Sequence, residues 1–142
     1  MIIPDINLLV YAYNRDAAHH GRAKRWLEDL LNGTTSVAFA WVVVYGFIRI
    51  MTHPRVMEFP LRPSEAVGHV RSWLEMPTAS IIEPGRRHLA ILGDLLDRIG
   101  SAGNLTTDAV IAALGIEYQA EVHSNDADFR RFSGLRWVDP MG

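Results

Sequence analysis

The stretch that decides the fold is residues 106–129, "TTDAVIAALGIEYQAEVHSNDADF". Its first half carries apolar residues at helical spacing and predicts a helix over "NLTTDAVIAALGIEYQ". A threonine cap opens that helix, and Asp108 falls in its first turn, where the helix dipole favours a carboxylate. "AEVHS" predicts a strand, and "DADFRRF" a helical turn with Asp126 just past the strand. A helix that returns along a parallel sheet begins at the sheet's carboxyl edge. Asp108 and Asp126 are therefore expected at the same edge.

The same grammar repeats outward along the chain. "MIIPD" is a short strand ending at Asp5, and "NLLVYAY" continues as helix with Asn7 as a plausible cap. "AAHHGRAKRWLEDLLNG" is an amphipathic helix stopped by Gly33. "SVAFA" reads as a buried strand. "WVVVYGFIRIMT" is apolar nearly all round, and its length favours a buried helix. Pro63 and Ser64 open a further helix over "RPSEAVGHVRSWLEM". "ASIIEP" is strand-like, "GRRHLAILGDLLDRIG" is a helix closed by Gly100, and "LRWVDP" is a last strand. Short strands alternating with helices predict an α/β fold with a parallel sheet covered on both faces. With no repeat, low-complexity tract or linker, residues 1–142 are expected to form a single domain.

Composition narrows the function. Hydrophobic residues make up 49% of the chain and charged ones 21%, which favours an ordered globule over disorder. There is no cysteine, so disulfides and thiolate metal sites are excluded, in keeping with a reducing cytoplasm. No apolar run reaches the roughly 18 residues of a membrane span, and the start lacks the basic leader of a signal peptide. A net charge of −2 gives no global basic field for nucleic acid, although Arg86–Arg87 and Arg130–Arg131 are pairs able to hold phosphates. Lys24 is the sole lysine.

Each acid has a plain explanation when taken alone. Asp5, Asp108 and Asp126 can all be helix-start residues, and Asp128 can pair with Arg130 or Arg131. Together they say more. Ligands in such sheets sit beyond the carboxyl ends of the strands, where Asp5, Asp108 and Asp126 would converge. Unpaired carboxylates at close range repel and hold one another protonated, and a divalent cation removes the conflict. An all-oxygen set suits Mg²⁺ or Mn²⁺. Such ions activate water and neutralise charge at a phosphoryl group, so the natural chemistry is phosphodiester hydrolysis. Asn7 and Ser124 are candidate auxiliaries, each with a local reading as cap or turn former. His123 lies close in sequence to Asp126. Arg49, alone in a very apolar helix, is expected to meet a carboxylate or reach the pocket rim. Trp41, Trp73 and Trp137 are expected in the core or an interface.

Through "PDINLLVYA", "GFIRIMTHPRV", "GNLTTDAVIAALG" and "SNDADFRRFSGLRWVDP", nearly the whole chain resembles the PIN-domain nucleases, and among them the VapC toxins of type II toxin–antitoxin pairs. The resemblance implies a three-layer α/β/α fold with a central twisted parallel sheet of four or five strands. It implies a Mg²⁺-dependent endoribonuclease, with Mn²⁺ the substitute, that cuts structured RNA such as tRNA or rRNA and blocks translation. It also implies a cognate VapB-like antitoxin and a homodimer. By position, Asp5, Asp108 and Asp126 match the family's metal-binding aspartates, and Asp128 a further acid. One departure stands out. The family usually carries a glutamate on the helix after the second strand, where this chain has Gly46 and no Asp or Glu from Leu30 to Met57. A substitute such as Asp94 or Asp128, or Arg49 facing the pocket, are the expected consequences. The alternative function is a PIN-like RNA- or protein-binding module without catalysis. Phosphatases and receiver domains that use strand-end aspartates need a late lysine, which Lys24 does not provide.

Overall fold

The computed structural model describes residues 1–100 and 103–142. Five parallel strands form one sheet in the order β3-β2-β1-β4-β5, with β1 Ile2–Pro4, β2 Val37–Ala40, β3 Ala79–Ile82, β4 Glu121–His123 and β5 Arg136–Val138. Among the described residues six helices join and flank them: α1 Ile6–Tyr13, α2 His20–Leu31, α3 Trp41–Met51, α4 Pro63–Leu74, α5 His88–Ile99 and α6 Thr106–Glu117. The α/β class, the parallel sheet and its five strands agree with the sequence expectation.

All four residues of β2 are buried. Because successive strand side chains point to opposite faces, that burial requires cover on both sides of the sheet. Packing in the helix layers follows the apolar stripes: α1 touches α2 and α3, α3 touches α4, and α5 pairs with α6. Trp73 of α4 is the hub of one layer. Its ring stacks on Phe39 at 5.2 Å and meets Phe47 edge-on at 4.8 Å, while its Nε1 donates to the Tyr13 hydroxyl at 2.7 Å. A buried indole needs such a partner.

The chain starts in the middle of the sheet. It winds outward through β2 and β3, then returns to the other side of β1 through β4 and β5. The order reverses between β1 and β4, which makes a topological switch point. There, helix connections diverge beyond the carboxyl ends and leave a crevice.

Two local expectations are corrected. No threonine caps α6. Leu105 holds the cap position with no side-chain bond, behind a 3₁₀ turn at Gly103–Leu105. Helix α3 is not buried all round either. Trp41, Tyr45 and Arg49, spaced by four, share an exposed face, on which the two aromatic rings stack at 5.8 Å. Arg49 thus stays in solvent, with no ion pair among the described residues, and never incurs the desolvation cost that would have forced it onto a carboxylate.

Candidate metal centre

The crevice at the switch point is built from the first residues after β1 and β4 and the first turn of α6. Asp5 leaves β1 as the N-cap of α1, its Oδ1 accepting from the Ile6 amide at 2.7 Å. It is 5% exposed. Its Oδ2 accepts from the Ser124 hydroxyl at 2.6 Å. Ser124, fully buried beyond β4, also accepts from the Asp126 amide at 3.0 Å and from Asn7 Nδ2 at 3.3 Å. One donation and two acceptances fill a hydroxyl's capacity, so Ser124 joins both strand ends. Asn7 faces the loop with its carboxamide and does not cap α1. Its Oδ1 accepts from the Asn125 amide at 3.4 Å.

Asp126 caps the 3₁₀ helix Ala127–Arg131, accepting from the Asp128 amide at 2.9 Å. That turn swings the Asp128 carboxyl back. Asp108, Asp126 and Asp128 each bring an oxygen to within 4.8 Å of the others, the single group of three or more potential metal ligands among the described residues. The structure therefore assembles Asp108, Asp126 and Asp128 at closest range. Asp5 sits beside them, close enough for its charge to act on Asp108. Asp94 takes no part, being exposed and paired with Arg98 at 3.2 Å.

Electrostatics follow from this crowding. Partial burial, and then the charges of Asp5, Asp126 and Asp128, push the Asp108 carboxyl up to about 7. Burial likewise raises Asp5, against the lowering by its bonds to Ser124 and the Ile6 amide. The nearby cation is Arg131, whose Nε lies 3.7 Å from Asp128 on the exposed side. Carboxylates held at this spacing with so little compensation, and offering oxygen alone, fit a hard divalent cation.

The helix carrying Gly46 explains the missing acid. A β-carbon at residue 46 would lie 2.4 Å from Ile6 Cδ1, so Ile6, next to Asp5, fills the space a larger side chain would need. His123 faces away from the acids. It is 8% exposed, accepts from Trp26 Nε1 at 3.2 Å and bonds Glu121 at 3.2 Å, with burial pressing its pKa down. Sequence reading missed Asp139, which accepts from Asn125 Nδ2 at 3.0 Å. The signal was available, since Asp139 follows β5 as Asp5 follows β1. A groove of about 680 Å³, lined in part by Tyr13, Lys24, Met51 and Phe59, lies apart from the acids. It is mostly apolar and brings together no comparable ligand set.

The PIN-domain profile matches residues 2–135. The chain belongs to the PIN-domain family. Ribonuclease VapC33 of Mycobacterium tuberculosis is 48% identical over 141 residues, with 99% of each chain covered. Ribonuclease VapC37 of the same species is 41% identical over 140 residues, covering 99% of this chain and 97% of that one. Among solved structures, Mycobacterium tuberculosis VapC20, a Sarcin-Ricin loop cleaving toxin, superposes with a TM-score of 0.69 at 17% identity, covering 96% and 99% of the two chains. The VapBC2 complex of Rickettsia felis bound to promoter DNA gives 0.68 at 22%, covering 97% and 98%. At such identities the structures speak for the fold, and the PIN fold agrees with the resemblance read from the sequence.

Proposed function

We propose that this chain is a divalent-cation-dependent endoribonuclease of the VapC type, acting as a toxin on structured RNA. The observation that carries this is the group of Asp108, Asp126 and Asp128 at the switch point with Asp5 beside it, where burial and the neighbouring carboxylates push Asp108 up to about 7. PIN-family membership and relatives named as ribonucleases support the substrate class. Asp108, Asp126 and Asp128 would hold the ion, with Asp5 behind them. Mg²⁺ is the first choice and Mn²⁺ the substitute. When bound, the ion supplies charge neutralisation at a phosphoryl oxygen and lowers the pKa of water.

The rest falls to the chain's own residues. Ser124 fixes the Asp5 carboxylate, and Asp126 shapes the turn that presents Asp128. With Asp108 pushed up to about 7, ion uptake near neutral pH competes with a proton. Arg130 lies over the Trp137 ring at 5.5 Å, and with Arg131 forms a basic rim able to engage phosphates. A cognate VapB-like antitoxin, a second copy of the chain and a cytoplasmic setting complete the reading. The antitoxin is supported by the VapBC complexes among the fold's neighbours.

The second reading, an inactive binding module, draws on Ile6 filling the space beside Gly46. One experiment separates the two. Asp5→Asn keeps a capping oxygen for Ile6 and is expected to fold, yet to abolish Mg²⁺-dependent RNA cleavage and growth arrest. A folded Asp5→Asn protein with full cleavage rules out the catalytic assignment. A wild-type protein that binds RNA but cuts none with Mg²⁺ or Mn²⁺ favours the binding module.

A further inference from the structure

The loop that carries Asp126 is gripped from β5. Trp137 Nε1 donates to the Ser124 carbonyl at 2.9 Å, and the Ser124 amide donates to the Val138 carbonyl at 3.1 Å. Asn125 Nδ2 donates to Asp139 Oδ2 at 3.0 Å. A carboxylate accepts only, which fixes the orientation of the Asn125 amide. The other Asp139 oxygen accepts from the Met141 amide at 2.9 Å, and Met141 is buried in the core at 3% exposure. A chain of contacts thus runs from the core through Met141, Asp139 and Asn125 to residue 126. A second runs from the Trp137 ring to Ser124, whose hydroxyl holds both Asp5 and the Asp126 amide.

We infer that Trp137, Asp139 and Asn125 are positioning residues for the cation, holding the Ser124–Asp126 loop at the spacing that binding requires. The inference rests on the proposed function. Asp139 is not one of the acids grouped there, Asn125 turns its Nδ2 to Asp139, and Trp137 turns its Nε1 to the Ser124 carbonyl. They act through the peptide that carries Asp126 and through Ser124. Contacts one step removed from metal ligands commonly change metal affinity by about 10- to 100-fold when lost.

The test is Mn²⁺ binding to purified full-length protein, read by electron paramagnetic resonance without RNA, beside thermal melting. Asn125→Ala and Asp139→Ala are each expected to raise the Mn²⁺ Kd about 10-fold. The double variant should be no worse than the weaker single, because both remove one contact. Trp137→Phe keeps the ring and its packing while deleting the N–H, and is expected to shift Kd in the same direction. A purely structural role would lower the melting temperature and leave Kd unchanged. Folded Asn125→Ala and Trp137→Phe proteins with wild-type Kd overturn the inference. So does failure of both to fold even with Mn²⁺, since the contacts would then hold the fold and not the ion. A wild-type protein that binds no Mn²⁺ overturns the proposed function itself, a result distinct from binding that the variants leave intact.

Discussion

Ser124 shows how much one hydroxyl can settle. It is fully buried and meets Asp5 Oδ2, Asn7 Nδ2 and the Asp126 amide. Replacing it with alanine strands a buried carboxylate oxygen and two donors at once. Ser124→Ala is expected to cost about 1–3 kcal/mol, read as a lower urea midpoint at unchanged m-value. It should also let burial press Asp5 further up, because the Ser124 bond is the largest influence lowering it. A variant as stable as wild type would mean that water replaces the hydroxyl. The sequence marked Ser124 only as an auxiliary or a turn former. What it could not give was direction. Whether a side chain at a strand end points at the acids or away depends on pleat and turn geometry, which separates Ser124 from His123 one residue earlier.

At the scale of elements, the crossing of α1 and α3 answers the question raised by Gly46. The two helices meet where Ile6 lies against the glycine. Gly46→Ala must push the Ile6 Cδ1 methyl aside, and overpacking of this kind costs about 1–3 kcal/mol. Ile6→Val removes that methyl, so the double variant Ile6→Val/Gly46→Ala should recover much of the loss, a non-additivity visible in paired urea titrations. Equal stability of Gly46→Ala and wild type would show that Ile6 moves freely and that its fit against Gly46 is not a constraint. Strand and helix order was legible because apolar periodicity switched cleanly at Gly33, Pro63 and Gly100. The exposed face of α3 was not. Trp41 and Tyr45 are apolar by type, and nothing local to α3 says which of its faces a neighbour will cover. The α6 cap was misread for a related reason, since Thr106 and Thr107 are good caps by chemistry but the preceding turn placed them inside the helix.

The whole molecule pays a stability cost for holding its acids together, and pH exposes that cost. Burial and the neighbouring carboxylates push Asp108 up to about 7 in the fold, from an ordinary value of 3.8. Between those values the folded state binds more protons than the unfolded one, so its contribution to stability falls as pH rises from about 4 to about 7 and is level above. Raised Asp5 acts in the same sense. His123 acts in the opposite sense, because its lowered pKa adds stability as pH rises toward 6.5 and no more above it. The Asp108 part is therefore read as a difference. In EDTA, Asp108→Asn should melt higher than wild type at about pH 8, with the gap closing toward about pH 4. A saturating divalent cation replaces the proton, so Mg²⁺ should raise the wild-type melting temperature more at about pH 8 than at about pH 5. It should do little for Asp108→Asn. A fold that gains stability on losing this carboxylate, and then loses its response to the ion, keeps the acids for chemistry at some expense to stability. If Asp108→Asn melts no higher than wild type in EDTA at about pH 8, the acids are compensated by something other than a cation. The switch-point crevice would then be a hydrogen-bonded structural element of the sheet.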